Sequence, residues 1–236
     1  MRAYIRIRWD VAWLDEAGND RFPQRKTEAW QRERWDLFMR YTLPSLQRQT
    51  HEDWVALLFC DYDLDRPIFD SGDKRVLWTP GYPDELCAVA GEVPAETGYV
   101  MRMDSDDMLA AKAIETLIEH APRLIRPPEG PLYSQLDTGA AYHPASDTVY
   151  SWPNPSPPFY GRLWDMSSGR IPEFGHHMKD RELARPIKTD DPMFCVVLHD
   201  LNICNKPSAQ WCQPMLSAAR EARTRELFGL PARGDQ

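Results

Sequence analysis

The chain has 236 residues, 42% of them hydrophobic and 27% charged, which fits one large domain with a buried core and excludes wholesale disorder. No run of eighteen apolar residues occurs, so no spanning helix is expected, and Met1–Trp9 alternates Arg with apolar residues instead of forming a signal-peptide core. A formal charge of −8 speaks against a general nucleic-acid binder, although ten basic residues fall between Arg2 and Arg48. Six lysines leave 22 arginines among the 28 basic residues; the planar guanidinium fork suits phosphates and carboxylates, with a GC-rich coding bias as the competing explanation. Five scattered cysteines (Cys60, Cys87, Cys195, Cys204, Cys212) contain no CxxC pair, so reduced thiols and a cytoplasmic location are expected.

The first predicted element is a strand over Tyr4–Trp9, where Ile5, Ile7 and Trp9 alternate with Tyr4, Arg6 and Arg8. After a polar loop, Thr27 is placed to cap a helix carrying Trp30, Leu37, Phe38 and Tyr41 at helical spacing. Pro44 suits the first turn of a second short helix ending near Gln49. The continuous apolar run Trp54–Cys60, closed by Asp61, reads as a strand buried on both faces of a parallel sheet. Val76–Trp78 is a third strand, Asp84–Ala90 a short helix, and Tyr99–Met103 a fourth strand. A helix with Ile114, Leu117, Ile118 and Ile125 on its buried stripe follows. This order predicts an α/β fold with a mixed, mostly parallel sheet flanked by helices.

In the second half, Pro131–Leu136 and a hairpin of Ala140–Tyr142 against Thr148–Tyr150 predict antiparallel additions. The Pro-rich stretch Trp152–Phe159 predicts a loop, Met193–His199 another strand, and Pro207–Leu230 a helical tail.

The densest chemistry lies in Met101-Arg102-Met103-Asp104-Ser105-Asp106-Asp107. Three carboxylates within four residues, directly after a buried strand, repel one another unless a cation intervenes, and Mg²⁺ or Mn²⁺ favours carboxylate oxygen. In α/β sheets, ligands gather at the carboxyl ends of the strands. The competing explanation is a helix-capping Asp with acidic neighbours. His199 ends an apolar strand and is a candidate second ligand or phosphate contact, against an ordinary surface histidine. Asp61 is placed to accept from a base or ribose, or else to form a turn. Arg8 and Arg102 are candidates to clamp a phosphate or to pair with the acidic cluster.

Together these segments resemble a known family. Trp30-x-x-x-Arg34-Trp35-Asp36-Leu37-Phe38-x-x-Tyr41-x-Leu43-Pro44-Ser45-x-x-x-Gln49-Thr50 looks like the signature of rhamnosyltransferases, a branch of the GT-A-fold glycosyltransferases. The branch also has a first strand ending Arg-aromatic-Asn, here Arg8-Trp9-Asp10, and an apolar strand ending in Asp, here Asp61. It has an Arg-x-Asp-x-Asp-Asp motif, here Arg102 to Asp107, and a late His-x-x-Asn, here His199 to Asn202. The likeness runs in order to about residue 205; Asp10 stands where Asn is usual and Asp200 where a small residue is common.

The resemblance implies a single Rossmann-like GT-A domain over residues 1–236. Residues 1–110 would form a nucleotide-sugar-binding half, 111–205 an acceptor and catalytic half, and 206–236 a helical tail. It implies a metal-dependent transfer of a sugar, rhamnose in the family's name, from a nucleoside-diphosphate sugar to a hydroxyl of a glycan or other acceptor, with inversion. Mn²⁺ or Mg²⁺ would be held by Asp104, Asp106 and His199, and the donor contacted by Arg8, Asp61, Arg102 and Asp104. A general base is needed for the acceptor hydroxyl; Asp190 and Asp191 are first choice, with Asp107, Glu173, His176 and His177 as alternatives. Trp152, Phe159, Tyr160 and Trp164 are candidates for stacking on a sugar, though most aromatics belong to cores. Other readings stay open: transfer onto a modified nucleic acid, a nucleotide-sugar-binding protein without turnover, and metal-dependent phosphoester hydrolysis.

Overall fold

A computed structural model describes residues 1–9, 17, 20, 23–60, 69–80, 97–121, 133–152, 159–166, 183–200 and 212–233. The alternating amino-terminal segment forms β1 (Ala3–Arg8). Thr27 caps α1 (Glu28–Leu37), its hydroxyl accepting the Trp30 N–H at 3.3 Å. The helix does not stop there. It widens into a π-helical turn over Phe38–Thr42, with the Leu43 N–H bonded back to the Phe38 carbonyl, and continues as α2 (Leu43–Gln47). Pro44 has no N–H and its ring crowds the carbonyl four residues back; the wider turn before it accommodates both demands.

The run Trp54–Cys60 is β2, Val76–Pro80 is β3, and Thr97–Asp104 is β4. The two residues Met108–Leu109 form β5, and Ala113–Glu119 forms α3. Then come β6 (Tyr133–Leu136), β7 (Gly139–His143), β8 (Thr148–Trp152), β9 (Tyr160–Asp165), β10 (Ala184–Ile187), β11 (Phe194–Val197), β12 (Gln213–Pro214) and α4 (Ala218–Phe228).

The described strands make two mixed sheets. The first has seven strands in the order β10-β6-β9-β4-β1-β2-β3, and the second five, β12-β8-β7-β11-β5. The heart of the first is the parallel set β4-β1-β2-β3, with Ala3 level with Tyr99 on one side and Trp54 on the other. β2 is buried on both faces as its unbroken apolar run demands. The hairpin forms as expected, with Tyr142 opposite Val149.

Four strands were not expected: β5, β9, β10 and, in the tail, β12. The tail is also not wholly helical, because Gln213–Pro214 pairs antiparallel with β8 and the helix begins only at Ala218. The expected helix at Asp84–Ala90, Ile125, and the Pro-rich residues 153–158 lie outside the described residues. Trp152, Phe159 and Tyr160, offered as sugar-stacking groups, are core: Trp152 ends β8, Tyr160 is in β9, and Phe159 stacks on Phe194 with ring centroids 4.4 Å apart. Trp164 is a half-buried β9 residue.

One central core fills the space between α1–α2, the first sheet and the inner face of the second. It joins Ile5, Ile7 and Leu58 to Phe38, Leu46, Leu117, Phe194 and Val196. Near the carboxyl end of β1, Trp9 meets Trp35, Phe38 and Trp78 at centroid distances of 5.8, 6.0 and 5.1 Å. Cys60, Cys195 and Cys212 are buried free thiols; Cys87 and Cys204 lie outside the described residues. No helix among the described residues is long and apolar enough to cross a membrane.

Candidate functional site

β1 lies between β2 and β4: the chain runs outward from β1 to β2 and β3 on one side, then crosses back to place β4 on the other side of β1. That is a topological switch point, where open α/β sheets leave a crevice beyond their strand ends. Arg8 and Asp104 are direct neighbours there, at the carboxyl ends of β1 and β4. The chain then passes through Ser105, Asp106 and Asp107 into β5 of the second sheet. The acidic trio is therefore at one of the crossings between the two sheets.

The three carboxylates are turned to different partners. Asp104 is a strand residue on the same face as Arg102, whose Nη2 lies 3.4 Å from its Oδ1. Asp106 is almost wholly buried, and its Oδ2 accepts from Arg34 Nη1 at 2.8 Å and meets His199 Nε2 at 2.7 Å. Burial alone would raise the Asp106 carboxyl, but the Arg34 charge and the His199 hydrogen bond outweigh it and hold the group below the ordinary value. Asp107 is also buried; its Oδ1 accepts the Val197 N–H at 3.0 Å, while Oδ2 has no hydrogen-bond partner. Burial, then the charges of Asp106 and Asp104, push that carboxyl well above the usual range.

The loop holding these acids is clamped by the end of the π-helical turn, by α2 and by the residues that follow it. The Thr42 hydroxyl is shared between the Ser105 and Asp107 carbonyls at 3.0 and 2.9 Å. Ser45 donates to the Thr42 carbonyl and accepts the Leu109 N–H. Gln49 donates to the Ser45 and Ala110 carbonyls, each at 2.9 Å, and accepts the Ile114 N–H at 3.1 Å. Thr50 bonds the Ala111 carbonyl through both its N–H and its hydroxyl. The Pro-Ser…Gln-Thr block is thus the socket in which the acidic turn sits.

Of the residues singled out from the sequence, Asp106 and His199 are brought into contact, and Arg8, Asp104 and Arg102 are gathered at the neighbouring strand ends. Asp190 and Asp191 precede β11, whereas His199 follows it. The Asp191 carboxylate is exposed and pairs with Arg223 of α4 at 3.1 Å, and the Asp190 carbonyl accepts from Arg220. Asp61, Asn202, Glu173, His176 and His177 lie outside the described residues. Among the described residues, no three His, Cys, Asp or Glu side chains form a ready metal-holding group.

Sequence reasoning missed Arg34, quoted only as part of a signature. Its side chain is 13% exposed, and besides Asp106 it reaches the Ser105 hydroxyl through Nε at 2.7 Å. The signal was present: Gln31, Trp35 and Phe38 are buried and mark the inward face of α1, and Arg34 falls within that stripe, where an unpaired charge is not tolerated. No family model matches the chain, and no curated protein matches it as a relative.

Proposed function

We propose that the chain is a metal-dependent glycosyltransferase of the GT-A type, moving a sugar from a nucleoside-diphosphate sugar to an acceptor hydroxyl. The observation that carries this reading is the meeting of Asp106 and His199 just beyond the switch-point strand end, where Arg8 and Asp104 are neighbours and Arg102 pairs with Asp104. One carboxylate and one imidazole are few ligands for a dication, which suits Mn²⁺ or Mg²⁺ in sites where phosphate oxygens and waters complete the coordination. The donor set fits Mn²⁺ best, since it combines hard oxygen with imidazole nitrogen. Asp106 and His199 would hold the ion, and when bound it would supply Lewis-acid stabilisation of the departing diphosphate.

The protein's own groups have separate tasks in this reading. Arg102 is buried with its Nη2 3.4 Å from Asp104, and its fixed charge would offset that of a diphosphate bound beyond the strand ends. Asp104, beside Arg8, is assigned to the nucleoside side. Asp190 and Asp191, engaged with α4 beyond the far end of β11, are not supported as the base.

The test is a thermal-shift panel of UDP, GDP, dTDP and CMP with and without Mn²⁺. A ligand at a hundredfold excess over Kd stabilises by about 2.7 kcal/mol, which corresponds to roughly 5–10 °C for a chain of this size. One nucleotide should give a manganese-dependent shift, and Asp106→Asn, folded by circular dichroism, should lose the manganese-dependent part. Equal shifts in the variant and the parent would reject Asp106 as the anchor.

A second reading rests on the 2.7 Å contact itself: Asp106 orients His199 as a general base, and transfer needs no metal. Donor turnover that persists in EDTA would favour it.

A further inference from the structure

Asp106 already has a cation. Arg34 Nη1 lies 2.8 Å from Oδ2, the same oxygen that His199 Nε2 meets at 2.7 Å. The guanidinium is not loosely placed: its Nε is fixed on the Ser105 hydroxyl at 2.7 Å, the Trp30 ring flanks it at 5.6 Å, and the Asp106 side chain is only 4% exposed. Arginine stays charged at any working pH. A dication taking Asp106 and His199 as ligands must therefore approach a fixed positive charge in a site where little water screens the repulsion. It must also share or take the oxygen that Arg34 holds. A diphosphate changes this balance, because it brings negative charge for both cations and presents paired oxygens that match the guanidinium fork.

We propose that Arg34 is a positioning residue that makes cation and diphosphate binding interdependent. It occupies Asp106 in the resting protein and yields that carboxylate to a dication only when a diphosphate arrives to take up the guanidinium. The inference rests on the metal-dependent reading and adds an order to it: the ion alone binds weakly, the ion with a diphosphate binds well. By linkage the coupling is reciprocal, so the diphosphate also gains from the ion by the same factor.

The experiment measures Mn²⁺ binding to the full chain by the electron paramagnetic resonance signal of the free ion, alone and with inorganic pyrophosphate. Complexation of Mn²⁺ by pyrophosphate in buffer is subtracted. The parent should bind Mn²⁺ at least tenfold more tightly when pyrophosphate is present. Arg34→Gln should bind Mn²⁺ alone at least tenfold more tightly than the parent, and its coupling factor should fall toward one. Arg34→Lys keeps the charge but not the fork and should retain part of the coupling. If Arg34→Gln does not fold, Arg34→Lys decides: coupling equal to the parent's overturns the proposal. Binding of Mn²⁺ with pyrophosphate by the parent, but no tighter binding of Mn²⁺ alone by Arg34→Gln, overturns the role of Arg34 and leaves the metal reading intact. No Mn²⁺ binding by any form, with or without pyrophosphate, overturns both.

Discussion

Asp106 and Asp107 are the same residue in adjacent positions, yet their surroundings push them apart. Asp106 faces Arg34 and His199 and is held ionised; Asp107 faces a backbone N–H, buried surface and two neighbouring carboxylates, and its carboxyl is driven up. A carboxyl raised on folding stabilises the native state fully below the unfolded value, about 4, and that contribution is lost as pH rises through the folded value. In metal-free protein, the stability advantage of the parent over Asp107→Asn should therefore shrink steadily from pH 4.5 upward. Urea melts in EDTA at three pH values check this; an advantage that grows with pH would show that Asp107 is ionised in the fold. The acidic trio itself was legible from sequence as charge crowded at a strand end. Which carboxylate faces which partner was not, because that depends on β4 ending at Asp104 and on an arginine seventy residues upstream. The inward stripe of α1 marks Arg34 as a charge in need of a partner, but not which partner it meets.

At the level of elements, the site depends on a helix that contributes no ligand. The side chains of Ser45, Gln49 and Thr50 are bonded to the backbone of residues 109–114. Gln49→Ala would leave the Ile114 N–H without its acceptor and the Ala110 carbonyl with the Ala113 N–H as its remaining donor. At roughly 1 kcal/mol for each of three hydrogen bonds, the loss is about 3 kcal/mol, or about 6–12 °C in Tm. A loss under 2 °C by calorimetry would mean that the socket is redundant. The capping residue, the strands β1, β2 and β4 and the hairpin followed from local pattern. Three of the missed strands, β5, β10 and β12, share a reason. β5 is two residues long, and β10 contains Arg185 and Pro186. Proline is accepted in β10 because it is an edge strand, paired with β6 alone among the described residues. Pro214 in β12 is tolerated for the same reason. Such strands are recruited by the sheet they join, not by their own propensity.

Across the molecule, the chain passes between its two sheets several times, and the carboxyl-terminal helix is fastened over the second. Arg225, 4% exposed, donates to Asp147 Oδ1 at 2.9 Å, to the Asp147 carbonyl at 2.7 Å and to the Pro231 carbonyl at 2.9 Å, and pairs with Glu221. Asp147 sits at φ 47°, in the left-handed region at the hairpin tip, and this bonding holds it there. Arg225→Met should cost about 2 kcal/mol and should speed hydrogen exchange in α4 and the β7–β8 hairpin while sparing β1 and β2. Uniform acceleration through both sheets would show that the helix is no separate clasp. The parallel α/β order of the first half was readable because each strand there is a continuous or strictly alternating apolar run. The second sheet was not, since β11 joins β7 and β5 across long separations that no local pattern records. Asp106 sits on a crossing from one layer to the other, and His199 comes from the far layer to meet it. The two layers cannot slide by the width of one water molecule without parting those side chains, so the place where a ligand would dock is also the rivet of the protein, and damage to either duty is damage to both.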